Sequence, residues 1–334
     1  MADIKQPVFV TVSALDAGHI TLPESLFITD ADPNKANLVP SLSFLIQHPS
    51  SSPSLEASRA TNLVFDLGVK RNLDTYTPSQ NLHTNQRKPI IVDPDCGKSL
   101  RKGSLDPAKD IDFVVISHVH WDHIGTPSDF SGATFAVGSG TQDLLKNGAG
   151  PLYPADLFND DELPANRTVE FPPVAGTRGY EFPAQIPKHT ETPENTQAKL
   201  PPSAKQWAWQ QLDNFPNALD FFGDGSVWVI DTPGHLYGHV NLLARVSEQK
   251  YVYLGGDCCH DGRILSGQTG IAMYSDGMGG MRSVHVDTPT ATKTLERIRA
   301  FAQAKDGGAD VEVVLAHDAD WRNKNGHRFW PGAL

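Results

Sequence analysis

The sequence predicts an α/β fold built in layers, on three observations. Four apolar strand segments each run into a histidine or an aspartate: Ile111 to Ser117 (IDFVVIS), Ser226 to Asp231 (SVWVID), Tyr251 to Asp257 (YVYLGGD) and Val311 to Asp318 (VEVVLAHD). An amphipathic helix precedes the last of them, giving the helix-then-strand unit of a layered fold. The composition, 39% hydrophobic and 20% charged over 334 residues, is that of a globular chain able to bury a large core.

In chain order, PVFVTVSAL and SLSFLI are the first strand candidates, within the first 46 residues. NLVFDLG (Asn62 to Gly68) and PIIVDPD (Pro89 to Asp95) follow as strands, with the polar stretch RNLDTYTPSQNLHTNQRK between them read as a surface loop. Ile111 to Ser117 is the strongest strand, an apolar run expected to be buried on both faces. The helix starts at Thr288-Pro289, an N-cap with proline at the first helical position. Ala291, Leu295, Ile298 and Ala302 then repeat at helical spacing until Gly307-Gly308. Residues 146–225 interrupt this order: ten of the 25 prolines fall between Pro151 and Pro202, and periodicity is weak. The segment is expected to be a surface excursion inserted in a single domain spanning 1–334, placed where it could cap a substrate pocket.

Charge and cysteine usage exclude several functions. Lys and Arg number 28 against 39 Asp and Glu, a net charge of −11, which disfavours a nucleic-acid partner. No apolar run approaches the ~20 residues of a membrane span. The first twenty residues hold one lysine and lack the apolar core of a secretory leader. Three cysteines (Cys96, Cys258, Cys259) are too few for a disulfide framework and fit a reducing compartment, so a cytoplasmic location is expected.

The chemistry is carried by histidines. His118, His120, Asp122 and His123 form H-x-H-x-D-H at the end of a buried strand. Alternate residues of an extended segment point the same way, so His118 and His120 project together. Beyond the turn, Asp122 and His123 can reach a second position nearby. Imidazoles and a carboxylate without thiols suit Zn²⁺ or a similar first-row ion. Cys258 and Cys259 read as buried packing rather than thiolate ligands.

These residues resemble the signature of the metallo-β-lactamase superfamily, and the later motifs follow in that family's order. Asp231-Thr-Pro-Gly-His235-Leu-Tyr-Gly-His239 is similar to its T-P-G-H element, Gly255-Gly-Asp257 to its G-D element, and Leu315-Ala-His317-Asp318 to its terminal histidine element. The match runs from about residue 40 to 320. The resemblance implies a four-layered αββα metallo-β-lactamase sandwich with two zinc ions per chain. His118, His120 and His235 would hold the first ion, Asp122, His123 and His317 the second, with Asp257 bridging. His239 is expected to orient its neighbours through a hydrogen bond, and Asp66 to give structural support.

Overall layout most resembles lactonases that open acyl-homoserine lactone rings, with one departure. Those enzymes usually carry a tyrosine three residues after the bridging aspartate; this chain has His260. His260 either donates a proton or hydrogen bond to the carbonyl or leaving group, or lies at the surface, and the sequence leaves both readings open. The implied activity is hydrolysis of a small, neutral or apolar lactone or lactam by metal-bound hydroxide, with Asp122 or His260 assisting proton transfer. The alternative is a thioesterase releasing an acyl or polyketide chain from a carrier, and a metal-binding scaffold without activity is a third class. Trp207, Trp209, Phe215, Phe221 and Phe222 before the SVWVID strand, and Met273-Tyr274 after Asp257, are read first as core packing and second as pocket walls. The oligomeric state is open, with a homodimer among the options.

Overall fold

The two longest strands lie at the start of the chain. β1 (Thr11–Pro23) and β2 (Ala36–His48) pair antiparallel in the computed structural model, which describes residues 6–49, 59–175, 197–303 and 309–334. They begin a six-stranded sheet completed, in order, by β3 (Thr61–Phe65), β4 (Phe113–Ile116), β5 (Thr134–Val137) and β6 (Thr168–Glu170). From β3 onward the neighbours are parallel, which requires crossover connections. These carry α1 (Pro78–Asn85), α2 (Cys96–Lys102) and α3 (Pro107–Asp110) before β4, α4 (Trp121–Ile124) after it, and α5 (Thr141–Asn147) after β5.

The second half of the chain repeats the plan. It runs through β7 (Gln210–Leu212), β8 (Phe215–Asp220), β9 (Val227–Asp231), β10 (Val240–Ser247) and β11 (Lys250–Leu254). Next come α6 (Gly262–Ser266), a hairpin of β12 (Tyr274–Ser275) and β13 (Met281–Arg282), α7 (Thr288–Gln303), β14 (Asp310–Val314) and α8 (Ala319–Lys324). The second sheet is ordered β14-β11-β10-β9-β8-β7, and its parallel pair, β11 with β14, is the one bridged by α7.

Strand alternation explains the layers. Phe113 and Val115 of β4 pack with Leu242 and Ala244 of β10 and with Val252 and Leu254 of β11 in the core between the sheets. Their neighbours Val114 and Ile116 face outward, onto Leu100 of α2 and Leu144 of α5. Leu243 and Tyr253 face the opposite side, onto Leu295 and Ile298 of α7. Both sheets are therefore apolar on two faces and covered by helices, the four-layered αββα arrangement expected.

Several local expectations are corrected. Pro89 to Asp95 is not a strand: prolines at 89 and 94 remove two ladder donors, and only Ile91 pairs, with His19. The polar stretch before it holds α1, started by a capping box between Thr77 and Gln80 with Pro78 in the first turn. α7 is capped by Asp287, whose carboxylate accepts from the Thr290 N–H at 3.0 Å, rather than by Thr288. Of the excursion at 146–225, β6, β7 and β8 belong to the two sheets; residues 176–196, and Gly307-Gly308 further on, lie outside the described residues. Trp207, Trp209 and Phe222 pack against the inter-sheet core, Phe221 lies within it, and Phe215 is buried against α7's side of the second sheet. Cys258 and Cys259 are buried in that same outer core.

Candidate metal centre

The loops that leave β4, β9, β11 and β14 converge at one edge of the sandwich. β9 ends at Asp231 as expected, whereas β4, β11 and β14 stop two or three residues short of His118, Asp257 and His317, so the functional side chains sit on connections that rigid strands aim. Gly256 permits the close approach of the Asp257 loop. Its φ is +47°, and a Cβ there would lie 3.1 Å from the Ser117 side chain and 3.2 Å from His239 Nε2.

Two groups of donor atoms result. In the first, His118 Nε2 is 2.9 Å from His120 Nδ1 and 3.2 Å from His235 Nε2, and the last two nitrogens are 3.1 Å apart. In the second, His317 Nε2 is 3.5 Å and His123 Nε2 4.0 Å from Asp122 Oδ2. Asp257 stands between them. Its Oδ2 lies 3.7 Å from His118 Nε2 and 3.6 Å from His235 Nε2, and its Oδ1 lies 3.2 Å from both His123 Nε2 and His317 Nε2. One carboxylate thus offers an oxygen to each group.

The outer ring nitrogens are held from behind, which leaves the inner ones free to donate a lone pair. His317 Nδ1 donates to the Pro40 carbonyl at 2.8 Å. His123 Nδ1 lies 2.8 Å from Asp66 Oδ2, and the other Asp66 oxygen accepts the Ser117 N–H at 2.7 Å. Ser117 Oγ lies 3.0 Å from His118 Nδ1. His239 is where an orienting residue should be: Nδ1 is 2.8 Å from Thr232 Oγ1, and Nε2 accepts the Asp257 backbone N–H at 3.3 Å. His235 is backed by His285, with the two Nδ1 atoms 3.1 Å apart.

His260 is in the site and not at the surface. Its side chain is 6% exposed and Nε2 lies 3.0 Å from Asp257 Oδ2. The ring stacks on His317 at 5.6 Å and packs against Phe27 at 4.5 Å. Asp257, His260 and His317 also form a convergent donor set of their own.

The electrostatics divide the site. Burial pushes His118 and His235 well below the ordinary histidine value and lowers His120 to about 3, so the first group is three neutral imidazoles. Around the second group burial is overcome by carboxylates: Asp257, Asp66 and Asp122 hold His123 well above its usual value, and Asp257 and Asp122 raise His317. Two buried atoms there, His123 Nε2 and Asp257 Oδ1, have no hydrogen-bond partner. Neutral imidazoles converging on a shared carboxylate, with two buried lone-pair atoms left without a hydrogen-bond partner, are what a divalent cation would satisfy, so the residues present fit a metal.

A pocket of about 100 Å³ opens onto both groups. Besides His120, Asp122, His235, Asp257, His260 and His317 it is walled by Phe27 and Trp121, by Tyr274, which the sequence offered as a pocket wall, and by a polar set that the sequence did not signal: His83, Arg87, Tyr153 and Arg282. His285 was missed as well. No spacing signals these residues, because α1, the excursion and the β12–β13 hairpin bring them together only in the folded chain.

No protein-family profile matches the chain. Among curated proteins it is 29% identical over 336 residues to the cytochrome P450 monooxygenase mpaDE' of Penicillium brevicompactum, a match covering 94% of this chain and 34% of that protein. It is 30% identical over 227 residues to the gamma-lactamase FDB1 of Fusarium pseudograminearum, covering 66% of this chain and 45% of the relative. The N-acyl homoserine lactonase AttM of Rhizobium radiobacter is 26% identical over 289 residues, covering 84% and 82%. The chain thus spans about a third of the length of the first of these relatives and under half of the second. An N-acyl homoserine lactone hydrolase, solved with N-hexanoyl-L-homoserine at its catalytic metal centre, superposes with a TM-score of 0.59 over 98% of this chain and 100% of the other, at 15% identity. The chain has the metallo-β-lactamase fold. A dizinc quorum-quenching lactonase, AidC, shares this metallo-β-lactamase fold at a TM-score of 0.52 and 14% identity, over 94% of this chain and 89% of that one. Among the described residues no helix is long and apolar enough to cross a membrane.

Proposed function

We propose that this chain hydrolyses a small lactone or lactam ring at a dinuclear zinc centre. His118, His120 and His235 would hold one ion and Asp122, His123 and His317 the other, with Asp257 shared. The observation that carries the reading is the bridging position of Asp257, one oxygen toward each group. The all-nitrogen and oxygen donor set suits zinc. When bound, two such ions supply an activated water and positive charge at the scissile carbonyl.

The protein's own residues do the rest. Asp66, Pro40, Ser117 and His285 fix the imidazoles from behind. Phe27 and Trp121 exclude water from one side of the pocket and leave space for a small ring. Asp122, at the pocket wall and half turned to His317, can carry a proton between the attacking water and the departing atom. His260 Nε2, 3.0 Å from Asp257 and facing the same pocket, is placed to donate a proton or hydrogen bond where the lactonases usually present tyrosine. An amide nitrogen must gain a proton to leave, so His260 matters most for a lactam. The short stretch Tyr153 to Phe158 of the excursion caps the site: Tyr153 lines the pocket and Phe158 stacks over His120 at 6.3 Å. The proposed substrate is a small molecule and the proposed location cytoplasmic.

The test is mass-resolved hydrolysis by the zinc-replete protein on a panel of lactones, lactams and acyl thioesters, with Asp122→Asn as control. Ring products heavier by one water, at least about a hundredfold slower in the control, support the proposal. Turnover of thioesters alone favours the acyl-carrier thioesterase, and full metal occupancy without turnover on any substrate favours a non-catalytic scaffold.

A further inference from the structure

An acidic chain has placed two arginines in the wall of its reaction pocket. Arg87 follows α1 and is 7% exposed; Arg282 ends β13. The neighbours of Arg87 are neutral acceptors: Nη1 donates to the Gln86 carbonyl and Nη2 to His83 Nε2, both at 3.3 Å. Burial and Arg87, with a smaller contribution from Arg282, lower His83 to about 4 against the pull of Asp122, so its ring is neutral and both cations bear on one spot. Arg282 Nη2 donates to the Tyr153 hydroxyl at 2.9 Å, and its guanidinium lies over the rings of Tyr153 and Tyr274 at 4.9 and 5.7 Å. Among the described residues neither guanidinium forms an ion pair. The carboxylate whose charge reaches Arg87, Asp122, is turned toward His317 and His123 instead, and Asp276, whose charge reaches Arg282, accepts the Met278 and Gly280 N–H groups of its own turn at 2.8 Å.

A buried guanidinium such as Arg87 is costly unless an anion meets it, and with the half-buried Arg282 it offers forked donors that match a carboxylate. Their tyrosine and histidine supports fix orientation without neutralising charge. We propose that Arg87 and Arg282 form a carboxylate-recognition subsite beside the metal centre, so that the ring this enzyme opens bears a free carboxylate. This deepens the ring-hydrolase reading and rests on it for the identity of the reacting bond. It replaces the neutral or apolar substrate expected from the sequence.

The test pairs a γ-lactone bearing a ring carboxylate with its methyl ester, on the zinc-loaded protein and on Arg87→Gln, Arg282→Met and Arg282→Lys. In the wild type the carboxylate form should have a KM lower by at least about tenfold, the size of a charge-assisted hydrogen bond. Arg282→Met and Arg87→Gln should raise that KM by about tenfold or more while leaving kcat/KM for the ester within about threefold. Arg282→Lys, which keeps the charge and loses the fork, should fall between and guards against misfolding as the cause. Equal KM values for the two substrates in the wild type overturn the proposal. So does an equal loss of kcat on both, which would assign the guanidiniums to the reacting carbonyl. Calorimetric binding of cyclopentanecarboxylate, which cannot be cleaved, separates the two readings. Binding weakened by Arg282→Met with no lactone turnover would leave this subsite standing and the ring-hydrolase reading fallen; binding that Arg282→Met leaves unchanged overturns the subsite.

Discussion

Asp66 makes no approach to the pocket, yet three groups depend on it. Its carboxylate binds His123 Nδ1, the Ser117 N–H and the Ser117 hydroxyl, all between 2.7 and 2.8 Å. It reaches them because its backbone is left-handed, at φ +59°, directly after β3. Residues that hold a ligand from behind typically govern metal affinity by about 10–100-fold. On the proposed two-zinc centre, Asp66→Ala should therefore weaken the ion at His123 by about that factor and the ion at His118 by less, through Ser117, as read by competitive zinc titration; equal weakening of both would contradict its assignment to His123. The candidate ligand cluster was legible in the sequence because H-x-H-x-D-H packs four donors into six positions. Asp66 was legible only as support, since a lone aspartate after a strand has many uses. His285 was not legible at all: its partner His235 is fifty residues away, and no local pattern joins them.

At the scale of elements, the aromatic segment before β9 separates packing from recognition. Trp209 donates its indole N–H to the Pro172 carbonyl at 2.5 Å and sits 6.3 Å from Phe171, against the inter-sheet core and outside the pocket. Trp209→Ala should cost about 1–3 kcal/mol of stability in denaturant melts, with KM and metal content unchanged. A raised KM at normal stability would return the residue to the pocket wall. Strands with continuous apolar runs were read correctly in place, though β4 covers only Phe113–Ile116 of the seven residues expected. Elements set by capping were harder: α1 announces itself through Thr77-Pro78-Ser79-Gln80, a signal hidden in a polar stretch without an apolar stripe. Pro89 to Asp95 failed the other way, an apolar run whose prolines forbid the ladder.

For the whole molecule, the candidate centre is a junction between the sheets. His118 and His123 follow β4 of the first sheet, whereas His235, Asp257 and His317 follow β9, β11 and β14 of the second. Asp257 is the residue at which the two donor groups meet. On the proposed function this carboxylate joins two zinc positions into one reactive centre. Zinc per chain, measured by elemental analysis after dialysis of the wild type and of Asp257→Ala, tests it most directly. Two zincs per chain in the wild type, falling to about one or fewer in the variant, is the predicted result. A single zinc in the wild type, or two retained in Asp257→Ala, would contradict it.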